Sequence, residues 1–352
     1  MKNSDLGERF MKSLIDTLGD VSFLNMEGTI DQSSVPVGAR LNQCLVVCPT
    51  KKNRITLIIE AAKNGQPSPV RNAINQLYRY TSGRSDVYGI VAAPYIAPAT
   101  VRICQEEGVG YLDLAGNCRL IFDTVYLVRD GVRNPFVQKR DLRSLYSPRG
   151  TKVLRIMLSS PKVSWRMQRL AERASVSLGQ VANIKKLLKD REWIIEGDEG
   201  FRLREPAQLL AEWSEKYSFR KSEVREFYGM SDMPAIESAL ADQCARRGIA
   251  FALTGLGGAA RVQPGTRYQR IMAYASELPI ALVEETGLKE VTSGANVTLL
   301  IPYDNGVFDG SQSYDGMPVV SPVQLYLDLK SYKGRGEEAA QTIYDNLLSS
   351  SW

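Results

Sequence analysis

Residues 151–205 have the spacing of apolar side chains that most constrains the fold of this 352-residue chain. Apolar residues recur there at three- and four-residue intervals in consecutive segments, which predicts short amphipathic helices. The predicted helices span residues 151–159, 166–174 and 177–190. Apolar segments at 193–195 and 201–203 then flank a glycine-containing turn, which predicts a β-hairpin.

Two amphipathic helices joined by a short turn and followed by a hairpin are the order of a winged helix-turn-helix. We predict this unit, with its linker, in residues 136–205, and we expect the helix 177–190 to be the recognition helix. Its amide and hydroxyl side chains suit base edges, and the neighbouring cations suit phosphates. The predicted DNA contacts are Arg166, Ser177, Gln180, Asn183, Lys185, Lys186, Lys189, Arg202 and Arg204.

Positive charge is concentrated in the same part of the chain. Residues 138–205 contain sixteen Lys and Arg against eight Asp and Glu, a net charge of +8. The whole chain carries a net charge of +5, so the remaining residues sum to −3. A local excess of cations is typical of a DNA-binding module, because cations near phosphates release bound counterions. The alternative is a helical core whose lysines form an ordinary solvated surface.

The composition excludes several classes of protein and site. The chain contains no histidine, which excludes Ser-His-Asp and Cys-His catalysis and zinc sites that need imidazole. Its five cysteines include no CxxC pair, and Cys44 and Cys48 lie in an apolar run that predicts packed thiols. No apolar run reaches the roughly 18 residues of a membrane helix. The polar N-terminus lacks the apolar core of a signal peptide, so we expect a cytoplasmic protein. We also expect no cofactor.

Strands alternate with helices in residues 1–135, which predicts an α/β sandwich. The first large strand is predicted at 40–48, with a turn at 51–53, and the last as a single strand at 120–128. A hairpin whose second strand ends in Glu60, followed by a helix and a strand, resembles the core of restriction endonucleases. Active members of that group hold magnesium with an upstream Asp and a Glu-x-Lys, which also orients the attacking water. Here Ala62 occupies the position two after Glu60, and Lys63 is displaced by one residue.

The upstream acid of that arrangement is also missing, because no Asp or Glu lies between Asp31 and Glu60. Glu27, Asp31 or Asp113 would have to replace it. We therefore expect an inactive domain that serves as a scaffold or docking surface. The alternative is a metal-dependent DNA nuclease that uses Glu60 and Lys63.

Residues 206–352 form the third predicted domain. A predicted strand at 249–254 runs into a glycine-rich segment and a helix, which resembles the phosphate-binding turn of nucleotidyltransferases. Transfer chemistry needs paired acids shortly afterwards, but residues 270–274 contain none. Asp304, Asp309 and Asp315 are expected to form turns beside glycines. We predict a nucleotidyltransferase-like domain without catalytic acids, and nucleotide binding at Gly257-Gly258 stays open.

Several segments together resemble one known family. The N-terminal ones are 58–60, 65–67, 94–96 and 111–117, and the C-terminal ones are 252–255, 319–329 and 334–340. The string Ser-Pro-Val-Gln-Leu-Tyr-Leu-Asp-Leu at 321–329 is the most specific of them. The sequence resembles the AbiEi-like antitoxins of type IV toxin–antitoxin systems, in the branch with an extra N-terminal domain. Independently of the family, Ser321 is expected to cap a helix that begins at Pro322.

The resemblance implies a transcriptional autorepressor that binds inverted repeats in its own promoter and takes part in phage defence. The functional partner would be an AbiEii-like nucleotidyltransferase toxin, and the family implies no catalytic residues. Palindromic operators would favour a homodimer. A non-enzymatic scaffold that binds an acidic protein or RNA remains the other alternative. The expected fold class is α/β in the broad sense of an α+β multidomain protein.

Overall fold

The computed structural model describes residues 3–27, 44–50, 53–136, 145–263, 267–332 and 334–352. These residues form two compact units, Met1–Lys139 with Lys189–Glu192, and Arg140–Leu188 with Trp193–Trp352. Each unit contains a seven-stranded mixed sheet with helices packed on it, which confirms the prediction of an α/β multidomain protein. Some predicted features lie outside the described residues. They are Asp31, the start of the strand predicted from residue 40, the turn at 51–52 and most of the linker after 136.

The first sheet has its strands in sequence order, from β1 at one edge to β7 at the other. They are β1 (Asn25–Glu27), β2 (Cys44–Thr50), β3 (Asn53–Ala61), β4 (Val87–Ala93), β5 (Gly110–Asp113), β6 (Cys118–Phe122) and β7 (Val125–Arg129). The central strands β3, β4 and β5 are parallel, and the outer pairs are antiparallel. The helices are α1 (Asn3–Gly19), α2 (Pro67–Thr81) and α3 (Pro98–Glu106).

Strand β3 is buried on both faces, which explains its continuous apolar sequence. Leu57 and Ile59 belong to the cluster that contains Phe10 of α1. Ile58 points to the opposite face, because side chains alternate along a strand, and packs in the cluster of Ile74 from α2. The sheet is therefore covered by α1 on one side and by α2 and α3 on the other.

The single strand predicted across residues 120–128 was wrong. The structure has two antiparallel strands there, with Phe122 paired with Val125 across a tight turn. Asp123 occupies the left-handed region at φ 48°, which a short polar side chain tolerates better than most. Apolar residues on both sides of the turn concealed the reversal in the sequence.

Three helices and a hairpin follow at nearly the positions expected from the sequence, and all of them except Lys189–Glu192 belong to the second unit. The helices are α4 (Pro148–Ser159), α5 (Met167–Ala174) and α6 (Leu178–Asp190), and the hairpin strands are β8 (Ile194–Gly197) and β9 (Gly200–Leu203). The helix α7 (Pro206–Lys216) and a short turn of helix at Phe219–Lys221 lead into the second large sheet.

The second sheet has the strand order β13-β10-β14-β12-β11-β16-β15. Its strands are β10 (Glu223–Tyr228), β11 (Phe251–Thr254), β12 (Ile271–Ala275), β13 (Lys289–Glu290), β14 (Val297–Ile301), β15 (Gln312–Tyr314) and β16 (Met317–Val319). Its helices are α8 (Met233–Arg247), α9 (Gly255–Val262), α10 (Ile280–Glu285), α11 (Pro322–Lys330) and α12 (Arg335–Ile343). As predicted, Ser321 caps α11 by accepting a hydrogen bond from the Gln324 amide.

The helices α4 to α6 and the second sheet share one hydrophobic core. Leu154 of α4 and Leu188 of α6 lie in the same buried cluster as Met272 of β12 and Leu325 of α11. The boundary predicted near residue 205 therefore does not separate two compact units. Periodicity predicted the individual helices correctly, but it carries no information about which buried faces meet. In the described ranges no helix combines the length and apolar character needed to cross a membrane.

Candidate nucleic-acid interface

Helices α5 and α6 are joined by a turn that the local sequence favours. Helix α5 ends at Ala174, and the capping residue Ser175 adopts a left-handed conformation with φ 50°. The hydroxyl of Ser177 then accepts a hydrogen bond from the Gln180 amide at 3.2 Å and caps the start of α6. Along α6, Val181 and Ile184 are fully buried, so the opposite side of the helix faces solvent.

The predicted contact residues differ in exposure. Arg166, Ser177, Asn183, Lys186, Lys189 and Arg204 are exposed, whereas Gln180, Lys185 and Arg202 are partly buried. Arg166 stands at the start of α5, and Arg204 follows β9 directly. The guanidinium of Arg204 lies 3.5 Å from the Glu205 carboxylate, an exposed contact that water screens. Asn183 and Lys186 occupy the outer side of α6, where a groove of nucleic acid could reach them.

Lys185 has a structural role that the sequence did not reveal. Its ammonium lies 2.6 Å from the carboxylate of Glu196 in β8 and 5.2 Å from the ring centroid of Phe201 in β9. These contacts connect α6 to the hairpin. A phosphate would have to compete with Glu196 for Lys185, whereas the neighbouring Lys186 is exposed.

The hairpin is held against the segment before α5 by backbone hydrogen bonds. The amide of Trp165 donates to the Phe201 carbonyl at 2.8 Å, and the amide of Phe201 donates to the Trp165 carbonyl at 3.0 Å. Gly200 makes this approach possible, because a Cβ there would lie 2.3 Å from the Trp165 oxygen and φ is 131°. The turn of the hairpin carries Asp198 and Glu199, which give its tip a negative charge.

The acids considered for nuclease chemistry have other surroundings. Strand β3 ends at Ala61, so Lys63 is exposed in the bend that follows Glu60 instead of lying on the strand. Glu27 pairs with Arg54 at 2.5 Å. Asp113 is buried and accepts hydrogen bonds from the amides of Ile96, Ala115 and Asn117 and from the Asn117 side chain. Within the described ranges, no three His, Cys, Asp or Glu side chains are placed to hold a metal ion.

The glycine-rich turn predicted at Gly257-Gly258 was wrong. Helix α9 already begins at Gly255, whose φ of 58° makes the turn, and both later glycines are buried within the helix. A Cβ on Gly258 would lie 3.2 Å from the Leu325 side chain and 3.3 Å from the Leu253 backbone. The glycines therefore allow α9 to pack closely against β11 and α11.

The loop acids of the C-terminal part also differ from one another. Asp315 lies in a turn with φ 51°, as expected for a turn residue. Asp304 caps the turn at Gly306, as expected, but it is also buried and pairs with Arg155 at 2.9 Å. Burial raises the pKa of Asp309 above its ordinary value.

A chain of buried polar groups, which we call the junction cluster, connects α4 to α11. Its members are Thr151, Arg155, Tyr217, Thr254, Tyr274, Asp304, Gln324 and Asp328. The side-chain oxygen Oε1 of Gln324 accepts from Arg155 at 2.8 and 3.1 Å, and its side-chain nitrogen Nε2 donates to Asp328 at 3.0 Å. Asp328 also accepts from the hydroxyls of Tyr217, Tyr274 and Thr254, and burial raises its pKa.

Sequence reasoning missed the junction cluster, although one signal was present. Gln324 and Asp328 are four residues apart in an otherwise apolar helix, which places both side chains on one buried face. Buried polar groups need hydrogen-bond partners, so such a pair predicts a polar network inside the core. Its partners come from distant segments and were not predictable.

The C-terminal part of the chain is similar to one protein family. Residues 202–349 match the family described as "Transcriptional regulator, AbiEi antitoxin, Type IV TA system". Over these residues the chain is AbiEi-like. The expected resemblance is thereby confirmed from within β9 to the end of the π-helical segment Tyr344–Leu348 that continues α12. The AbiEi match begins after α4 to α6 and does not include the N-terminal unit.

The other comparisons add little to the AbiEi match. No curated protein matches the sequence significantly. A solved structure of EndoMS in its apo form is 17% identical, with a TM-score of 0.19 over 30% of this chain and 45% of that chain. The match thus spans less than half of that structure, and so low a TM-score supports no conclusion about the fold or activity of this chain.

Proposed function

We propose that this AbiEi-like chain is a DNA-binding transcriptional repressor of a type IV toxin–antitoxin system. In this proposal α4, α5, α6 and the hairpin form a winged helix-turn-helix. Helix α6 enters the major groove, Gln180 and Asn183 read base edges, and Lys186 and Arg166 contact phosphates. The observation that carries the proposal is the exposed polar and cationic side of α6, opposite the buried Val181 and Ile184.

Charge supports this assignment. Residues 145–205 contain thirteen Lys and Arg against seven Asp and Glu, a net charge of +6. Arg155 is buried in the junction cluster, but Lys162, Arg166, Arg169, Arg173 and Lys186 are exposed. Cations collected on one small unit attract a duplex over several ångströms, and the attraction weakens as salt screens it.

The biological partners follow from the family. An AbiEi antitoxin implies a cognate toxin, and we propose a nucleotidyltransferase of the AbiEii type, encoded beside this gene and active in phage defence. The operator would contain inverted repeats, so a homodimer would place one α6 on each half-site. The N-terminal unit would then serve as a docking surface rather than a nuclease.

A gel shift on the DNA upstream of the chain's own reading frame tests the proposal. Lys186→Glu should weaken binding at least about tenfold, because it removes one phosphate contact and adds a repelling charge, and the slope of log K against log salt should fall by about 1. Lys289→Glu is the matched control, since Lys289 is an exposed lysine of β13 in the same unit. Equal affinity and equal salt slope for wild type and Lys186→Glu would refute the proposal.

A second variant distinguishes specific from general binding. Asn183→Ala should reduce the preference for the operator over unrelated duplex by about 1–3 kcal/mol while leaving non-specific affinity nearly unchanged. If the chain instead bound RNA and other polyanions as tightly as duplex DNA, the repressor assignment would be wrong and a general polyanion-binding protein would be indicated.

A further inference from the structure

An open cavity of about 600 Å³ lies against the second sheet, away from α5, α6 and the hairpin. Part of its floor is a row across three neighbouring strands, in which Glu226 of β10 pairs with Thr298 of β14, and Thr298 pairs with Met272 of β12. Leu256 of α9 and Tyr332 contribute to the walls. This volume lies within the roughly 300–1,000 Å³ that is usual for small-molecule sites.

Three arginines line the cavity, with one carboxylate among them. Arg270 lies 4.0 Å from that carboxylate, Glu226, which also accepts a hydrogen bond from Thr298. Among the residues that the structure describes, neither Arg220 nor Arg335 lies in an ion pair. Other arginines of the same unit do pair with glutamates, namely Arg225, Arg247 and Arg261.

This charge arrangement favours an anionic ligand. Arg270 also donates a hydrogen bond to the Ala295 carbonyl at 2.8 Å, and Arg335 donates one to the Arg267 carbonyl at 2.9 Å, but neutral carbonyls do not compensate their charge. Three arginines against one carboxylate leave the cavity with an excess of positive charge, which an anion would balance. Guanidinium groups bind phosphate oxygens through paired N–H donors, which makes arginine the preferred side chain for phosphate recognition. The cavity therefore has the chemistry of a site for two or three linked phosphates.

The remaining lining suits a flat aromatic group. The Tyr332 ring is half-buried at the cavity wall, and the Phe219 ring lies under the Arg220 guanidinium at 5.7 Å. Met272 and Leu256 add apolar surface beside them. A nucleobase stacks on such surfaces, and the Glu226 carboxylate is an acceptor for its amino group or for a ribose hydroxyl.

We propose that this cavity binds a nucleoside di- or triphosphate, with Arg220, Arg270 and Arg335 on the phosphates and Tyr332 against the base. The location differs from the Gly257-Gly258 segment considered from the sequence, since those glycines are packed inside α9. Nucleotide binding at the cavity requires no DNA contact by α6, so the two proposals succeed or fail separately.

Isothermal titration of the intact chain with ATP, GTP, CTP and UTP tests the proposal. We expect the double variant Arg220→Glu/Arg335→Glu to lose at least about tenfold in affinity for the nucleotide that binds, because each arginine removed takes charged hydrogen bonds with it. Both side chains are exposed, so the fold should tolerate the change. Arg246→Glu is the matched control, an exposed arginine of α8 outside the cavity, and should bind as the wild type does.

A third variant tests the base-binding part. Tyr332→Ala should weaken nucleotide binding about threefold or more while leaving the affinity for inorganic triphosphate unchanged, since stacking contributes only when a base is present. Three results would overturn the proposal. They are the absence of binding by all four nucleotides at millimolar concentration, equal affinity in the double variant, and inorganic triphosphate binding as tightly as any nucleotide.

Discussion

The ion pair between Arg155 and Asp304 should be among the most sensitive points of the second unit. Both side chains are 1% exposed, and the guanidinium also donates two hydrogen bonds to the side-chain oxygen of Gln324. At 2.9 Å and an effective dielectric constant of about 20, the attraction is about 6 kcal/mol, and desolvation of the two charges offsets much of it. Arg155→Met keeps an unbranched apolar stem but removes the guanidinium, which leaves the Asp304 carboxylate buried without its cation. We expect the free energy of unfolding to fall by about 3–5 kcal/mol.

Tryptophan fluorescence during urea denaturation measures this change in the right unit, because all four tryptophans lie in the second unit. Arg225→Met is the matched control, since the Arg225–Glu290 pair is largely exposed and should contribute at most about 1 kcal/mol. The double variant Arg155→Met/Asp304→Asn should be less destabilised than the two single changes added together, because no buried charge is left unpaired. If Arg155→Met cost no more than Arg225→Met, the reasoning about the junction cluster would be refuted.

Three further predictions concern the N-terminal unit and the thiols. Gly65→Ala should prevent stable folding of the first unit, because a Cβ there would lie 1.9 Å from the Tyr95 carbonyl oxygen. At Gly7 in α1 a Cβ would meet no atom within 4 Å, so Gly7→Ala should stabilise the unit by about 0.5–1 kcal/mol. Thermal melting of both variants followed by circular dichroism checks this, and equal midpoints would contradict it. At pH 8 a thiol reagent should modify Cys48 first and the four buried cysteines only after unfolding, since burial raises the pKa of Cys104 to about 12 and leaves it a thiol. Because the pKa of Cys104 is higher in the folded chain than the ordinary 9.0, its contribution to the free energy of unfolding is complete below pH 9.0 and is lost as the pH rises toward about 12. In a Cys104→Ala variant, the free energy of unfolding should therefore depend less on pH over this alkaline range.

Local signals in the sequence were sufficient for most individual helices and strands. The spacing of Val181 and Ile184 and the hydroxyl of Ser177 determine α6, and Ser321 with Pro322 determines the start of α11. These signals act within about four residues, because helical hydrogen bonds and caps join neighbours in the chain. For the same reason the polar outer side of α6, on which the proposed DNA contact depends, was predictable from the sequence alone.

Contacts between distant segments decided the rest. The partners Arg155 and Asp304 are 149 residues apart, and Lys185 turns toward Glu196 only because the hairpin packs beside α6. No periodic pattern specifies which buried faces meet, so the sequence alone suggested separate domains where the tertiary structure has one shared core. The cavity has the same origin: Arg220, Arg270 and Arg335 come from three segments, and only the packing of α9, α12 and the sheet brings their charges together.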